Sequence, residues 1–153
     1  MSRNFKYYKK IMKYIKIKDV KSPIRANHND SWIDFFIPNG EEYFLRAKQR
    51  ITIPLWIKIM LKEWTDLQLV DKSWLASKQW LTILWWLIDE GYRWELAVVA
   101  YNTSEDAIRL IGWQKIVQGV IRLVNTDMPE EISEDKYSED TSRWDWWFGS
   151  TWI

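Results

Sequence analysis

The sequence has 153 residues with 22 basic and 21 acidic side chains, one histidine and no cysteine, which suits a single domain and excludes disulfides and thiolate zinc sites. His28 alone cannot form a histidine cluster, so any metal is expected to be held by oxygen atoms, and the net charge of +1 gives no reason to expect a nucleic-acid partner. No apolar stretch reaches the roughly 18 residues of a membrane span, and the N-terminus lacks a signal peptide's apolar core, so we expect a cytoplasmic protein without a membrane partner.

Period-two patterns predict a chain made mostly of strands. After a basic extension at residues 1–11, the alternation from Tyr14 to Ile17 predicts a first strand. The clearest pattern follows in residues 51–61, where every odd position is apolar. Short runs rich in β-branched residues predict further strands at residues 66–70, 81–84, 95–101, 107–111 and 115–124. Many short strands with few helix signals predict an all-β sandwich or barrel.

The C-terminal part of the chain has a different composition. Residues 127–145 are acidic and polar with almost nothing to bury, so we expect an extended and mobile arm. The chain has no internal repeat and no second-domain boundary. We therefore predict one β domain over residues 12–126, followed by an acidic linker and arm over residues 127–153.

Tryptophan and glycine occur in unusual proportions, with 13 Trp against 5 Gly. Trp56 lies out of phase with the apolar residues around it, and Trp64 and Trp113 lie between predicted strands. Turns often need a residue with positive φ, a conformation that glycine adopts freely. The tryptophans therefore occupy contexts in which glycine is expected.

Reading glycine at these positions reveals five motifs. Residues 31–36 become SGIDFF, residues 72–76 become KSGLA, residues 86–95 become GLIDEGYRGE, residues 113–118 become GQKIVQ and residues 143–152 become RGDGGFGSTG. In this form the chain closely resembles the trimeric deoxyuridine triphosphatases (dUTPases) from about Tyr14 to its end, with all five family motifs in order. The resemblance implies a jelly-roll-like β barrel with an extended C-terminal arm.

Our hypothesis for the tryptophans is a difference in decoding. The gene would come from a lineage that reads UGA as glycine, and the sequence as written would follow a code that reads UGA as tryptophan. The alternative is a genuine Trp-rich paralogue. Because Trp cannot adopt positive φ or permit close backbone approach without strain, we predict UGA at all 13 codons. We also predict that the Trp-containing polypeptide misfolds or is inactive.

The resemblance implies a phosphate site from the first, second and fourth motifs. Asp34 would support the nucleotide or its metal, although an aspartate after a turn is also a common turn-former. Lys72, Ser73 and Trp74 would lie in a turn at the phosphates, and Lys72 replaces the arginine usual in the family, which loses the bidentate contact. A Lys-Ser pair is also common on surfaces. Gln118 would contact the phosphates, or would be a buried glutamine satisfied by the backbone.

The third motif implies the chemistry. Asp89 would accept a hydrogen bond from the water that attacks the α-phosphorus. Tyr92 would pack against the deoxyribose and exclude a 2′-hydroxyl, and the backbone of residues 85–92 would bind the uracil edge. The alternative for Asp89 and Tyr92 is an Asx turn and an ordinary strand aromatic.

The fifth motif implies an arm that closes over the substrate and excludes water. Arg143 would bind the γ-phosphate, Phe148 would stack on uracil, and Gly149, Ser150 and Thr151 would complete the phosphate contacts. The alternative is an unstructured C-terminus with incidental aromatics.

A triphosphate with few protein cations around it implies Mg²⁺, bound mainly by phosphates and water. In the family, one site combines motifs from three subunits, so we expect an obligate homotrimer that converts dUTP to dUMP and pyrophosphate. Two alternatives remain: a dCTP deaminase of the same fold, and a non-catalytic trimer that binds a regulatory protein.

Overall fold

The computed structural model describes residues 12–84 and 87–138. Antiparallel strands make up most of this part of the chain. In chain order they are β1 Met12–Lys16, β2 Ile33–Phe36, β3 Glu42–Leu45, β4 Arg50–Leu61, β5 Thr65–Asp71, β6 Leu81–Ile83, β7 Leu87–Ile88, β8 Glu95–Asn102, β9 Ile108–Ile111 and β10 Lys115–Leu123. One α-helix, α1 (Ser73–Gln79), and a 3-10 helix, Glu134–Lys136, complete the described elements. The all-β prediction is confirmed.

The strands form two larger sheets and one small one. One four-stranded sheet has the order β1-β4-β8-β6, the other has the order β2-β10-β5-β7, and β3 pairs with β9. Buried side chains of both larger sheets belong to one hydrophobic cluster, which includes Ile53 and Leu55 from β4 and Leu67 and Leu69 from β5. This layered antiparallel arrangement agrees with the predicted jelly-roll-like barrel.

The alternation in β4 predicts the strand correctly but hides a bulge. Its odd positions from Ile53 to Leu61 are buried, as predicted. The pairing with β8 nevertheless shifts, because four residue steps from Pro54 to Lys58 face two steps from Ala97 to Glu95. Two extra residues preserve the side-chain parity, so the pattern of apolar residues continues through the bulge.

Several described elements were not predicted. All four residues of β2 are buried, so this strand has no alternation to detect. The short strands β3 and β7 were also missed. The second motif was expected to form a turn, but the residues after Lys72 form α1, which ends at Trp80 in the left-handed conformation.

Five non-glycine residues in the described ranges have positive φ, and four of them are tryptophans. We call these four the left-handed corners: Trp56 (φ 53°), Trp64 (63°), Trp80 (55°) and Trp113 (69°). The fifth is Lys48, and Gly40 is the described glycine with positive φ. For a residue with a side chain, this conformation costs roughly 1–2 kcal/mol. The structure therefore places four tryptophans in a backbone conformation that favours glycine.

Residues 125–138 are exposed and contain no strand. Within residues 12–84 and 87–138, no helix is long and apolar enough to cross a membrane.

Candidate phosphate-binding site

The site is built on a row of residues across three neighbouring strands. On β2, Asp34 lies opposite Gln118 of β10, and Gln118 lies opposite Val70 of β5. Lys72 follows two positions after Val70, beyond the end of β5, and therefore starts from the same face of the sheet. Pairing between strands that are remote in sequence thus brings the first, second and fourth motifs together.

Asp34 is the centre of this group, and only 2% of its surface is exposed. Gln118 Nε2 donates to Asp34 Oδ1 at 3.0 Å, and Lys72 Nζ lies 3.3 Å from the same oxygen. Lys115 Nζ lies 2.6 Å from Asp34 Oδ2. We call these four residues the Asp34 cluster. Gln118 is satisfied by a carboxylate, which differs from both the phosphate contact and the backbone contact considered for it.

A bulge in β10 explains how Lys115 joins the cluster. Lys115 pairs with Phe36 and Val117 pairs with Phe35, so β10 has one extra residue at this point. In a regular strand, residues 115 and 118 would point to opposite faces of the sheet. The bulge brings both onto the face that carries Asp34. Sequence reasoning missed Lys115, because neither this register nor the bulge leaves a recognisable pattern.

The surroundings of Asp34 favour its ionised form. Burial alone would raise its pKa, but the hydrogen bonds from Lys115 and Gln118 and the charges of Lys72 and Lys115 outweigh burial and lower the pKa below its ordinary value of 3.8. Asp34 is therefore an ionised carboxylate with two ammonium partners. The cluster has one positive charge more than it has negative charges, which suits it to binding an anion.

A cavity of about 530 Å³ opens beside the cluster. Ser73 and Gln118 line it, together with Trp32, Asp71 and Thr82. Trp74 lies in α1 and is 54% exposed, and it is not among the residues lining this cavity. The structure thus places Ser73 and Gln118 at one opening, as the motifs predict.

Asp71, which sequence reasoning also missed, holds the segment that presents Ser73. Its Oδ1 accepts from the Ile83 amide at 2.8 Å, and its Oδ2 accepts from Thr82 Oγ1 at 2.9 Å. These bonds join the end of β5 to β6, which belongs to the other large sheet. The acidic residue between Val70 and Lys72 was the available signal in the sequence.

Asp89 and Tyr92 lie apart from the Asp34 cluster. They follow β7, which is the edge strand opposite β2 in the sheet order. Three strand spacings separate these edges, or about 14 Å. Asp89 is exposed, and its carbonyl accepts from the Tyr92 amide at 3.1 Å, so the two residues form a turn. One chain therefore does not bring Asp89 to the cluster.

The Tyr92 side chain is held from below. Its hydroxyl donates to the Glu95 carbonyl at 2.7 Å, and its ring meets Trp94 edge-on at 5.4 Å. Burial and the charge of Glu95 raise the pKa of Tyr92 above its ordinary value. Tyr92 is thus a neutral, half-buried ring with a fixed orientation.

The remaining predicted residues fall outside the described ranges: Trp85 and Trp86 of the third motif, and Arg143, Phe148, Gly149, Ser150 and Thr151 of the fifth. Within residues 12–84 and 87–138, no group of three or more His, Asp or Glu side chains could hold a metal ion. The oxygens of Asp34 already contact lysines, which makes them poor ligands for Mg²⁺.

Comparison with known proteins gives a consistent result. No family model matches the sequence. The deoxyuridine 5'-triphosphate nucleotidohydrolase of Clostridium novyi (strain NT) is 34% identical over 131 residues, which cover 84% of this chain and 89% of the relative. That of Clostridium kluyveri is 33% identical over 136 residues, covering 88% and 92%.

A solved structure shows the same fold. A variant dUTPase of Staphylococcus bacteriophage 80alpha, with dUpNHpp, has a TM-score of 0.83 and 18% identity, and the match covers 95% of this chain and all of that one.

Proposed function

Because the chain belongs to the deoxyuridine 5'-triphosphate nucleotidohydrolase (dUTPase) family, we propose that it is an enzyme that hydrolyses dUTP to dUMP and pyrophosphate. The observation that carries this proposal for the chain itself is the Asp34 cluster beside the 530 Å³ cavity. Its excess positive charge and the adjacent Ser73 hydroxyl suit a phosphate chain. A lysine at position 72 supplies charge without the forked contact of arginine.

In the proposed mechanism, Asp89 acts as the base. It accepts a proton from a water molecule whose oxygen bonds to the α-phosphorus. The bond from that phosphorus to the oxygen bridging to the β-phosphorus breaks, and its electron pair leaves with pyrophosphate. A positioned carboxylate contributes about 10²–10⁴-fold in rate to such a step.

Substrate selection is assigned to the hairpin that contains Tyr92. Its ring, fixed through the Glu95 carbonyl, would lie against the deoxyribose and leave no room for a 2′-hydroxyl. Backbone groups of residues 85–92 would bind the uracil edge, which excludes cytosine because its donors and acceptors are reversed.

The active site is proposed to combine three copies of the chain. The opposite positions of β2 and β7 support this, because Asp89 cannot serve the cluster of its own chain across about 14 Å. The exposed residues 125–138 would carry the arm to a neighbouring copy. There Arg143 would bind the γ-phosphate, Phe148 would stack on uracil, and Gly149, Ser150 and Thr151 would complete the enclosure.

Mg²⁺ is proposed to bind with the substrate. A dUTPase from phage phi11, which shares this fold with a TM-score of 0.75 and 18% identity over 82% of this chain and 99% of that one, coordinates a structural Mg(II) ion. Here the phosphates and water would supply most ligands, because Asp34 is occupied by lysines. When bound, the ion would neutralise phosphate charge that the protein cations leave uncompensated.

The test uses the glycine form, by which we mean the protein with glycine at all thirteen Trp positions. We expect it to release pyrophosphate from dUTP with Mg²⁺, and to act poorly on UTP, dCTP and dTTP. Ammonia release from dCTP would instead indicate the deaminase, and binding of dUTP without turnover would indicate a non-catalytic protein. Either result contradicts the proposal.

A further inference from the structure

The left-handed corners identify glycine positions without reference to any related protein. Four of the seven described tryptophans have positive φ, whereas Lys48 is the one other non-glycine residue with positive φ in the same ranges. A bulky side chain in this region is a genuine outlier. A concentration of such outliers in one residue type is a property of how that residue came to be written.

The backbone at each corner is held by partners elsewhere in the fold. The Trp80 amide donates to the Leu75 carbonyl as the end of α1, and the Trp80 carbonyl accepts from the Thr103 amide at 2.9 Å. A left-handed residue after a helix is glycine in many proteins. Similarly, the Trp113 amide donates to the Ile37 carbonyl at 2.9 Å. The fold therefore imposes the conformation, whatever the side chain is.

The indole rings gain little at these corners. Trp64 and Trp80 are 58% and 63% exposed, and Trp113 is 37% exposed. Trp56 is partly buried in the bulge of β4, beneath the ammonium of Lys18. A large aromatic side chain normally stabilises a fold by burying its surface. Three of the four rings remain substantially in solvent.

We propose that the protein as its source makes it has glycine at positions 56, 64, 80 and 113, and also at the other nine Trp positions, because a glycine-charged tRNA pairs with UGA codons there. This inference is independent of the proposed function, because backbone conformation carries it. It also predicts the fate of the unaltered gene in a host that terminates at UGA. Synthesis stops after Ser31, since Trp32 is the first such position.

Peptide mass spectrometry of protein from the source organism tests the assignment directly. Trypsin releases residues 63–72 and residues 110–115, and each peptide contains a single corner position, Trp64 or Trp113. We expect both peptides at the mass that corresponds to glycine. Tryptophan in either peptide overturns the proposal. Full-length protein from the unaltered gene in a UGA-terminating host also overturns it.

A thermal unfolding experiment tests the physical argument. Tryptophan is restored singly to the glycine form at position 64, 113 or 94. Trp94 is the matched control, because it is 70% exposed and lacks positive φ. We expect the Tm to fall by roughly 2–4 °C at positions 64 and 113, with little change at 94. Equal changes at all three positions would show that φ does not distinguish them, and the argument from the corners would fail.

Discussion

The Asp34 cluster and the left-handed corners relate side chain to backbone in opposite ways. In the cluster, Lys72, Lys115 and Gln118 satisfy the charge and the hydrogen bonds of one buried carboxylate. At the corners, hydrogen bonds from other elements fix the backbone, and the indole adds only strain and exposed surface. The comparison teaches that a positive φ is a requirement of one residue, whereas a charged site depends on the register of distant strands.

The largest expected effect tests whether the cluster can act without the opposite edge of the sheet. In the glycine form, Asp89→Asn should lower kcat for dUTP by about 10²–10⁴-fold, because the amide cannot take the proton of the attacking water. KM should change little, since the phosphates are bound elsewhere. Steady-state pyrophosphate release measures both constants.

The matched control for this experiment is Asp127→Asn, which removes an exposed carboxylate after β10. It should retain full activity. Full activity of Asp89→Asn would refute the assigned base.

The second effect concerns the stability of the cluster. Asp34→Ala leaves two lysines and Gln118 without their buried partner, so the free energy of unfolding of the glycine form should fall by about 1–3 kcal/mol in urea. The comparison variant is Glu42→Gln, which breaks an exposed ion pair with Arg109. That variant should be nearly neutral. Equal losses would mean that burial gives the Asp34 cluster no special role.

Much of the fold could be predicted because half-buried strands leave a period-two pattern. β4 and β8 alternate between buried and exposed or partly buried positions, and both were predicted. β2 could not be detected by this pattern, because IDFF is buried throughout. The helix α1 replaced a predicted turn, since SWLASKQ has no acidic residue in its first turn and no side-chain cap to announce it.

The site was predictable only in part. Asp34, Ser73 and Gln118 were found through the family motifs, and the structure places all three near one cavity. Lys115 was missed because a bulge decides which face it occupies. Asp71 was missed because its partners, Thr82 and Ile83, belong to a strand of the other sheet. Neither fact is local in the sequence.

A smaller effect is expected where the cluster meets its support. Asp71→Ala removes two hydrogen bonds that tie β5 to β6, so the segment with Ser73 should loosen and KM for dUTP should rise roughly fivefold. Asp71→Asn keeps an oxygen for the Ile83 amide and should stay near the parent value. Steady-state kinetics of both variants decide the point. If the Asn variant is as impaired as the Ala variant, the charge of Asp71 matters rather than the connection.

The smallest effect is a pH dependence that belongs to the cluster and not to the corners. Because the pKa of Asp34 is lowered in the folded protein, its contribution to stability is fully present above the unfolded value near 3.8 and is lost as pH falls through the lower folded value. Urea midpoints of the glycine form should therefore fall as the pH is lowered below 3.8. Asp34→Asn should show a shallower decline, whereas tryptophan restored at position 64 should lower the midpoint by the same amount at every pH, because backbone strain does not titrate. Parallel curves for the parent and Asp34→Asn would show that the two lysines do not hold this carboxylate in its ionised form.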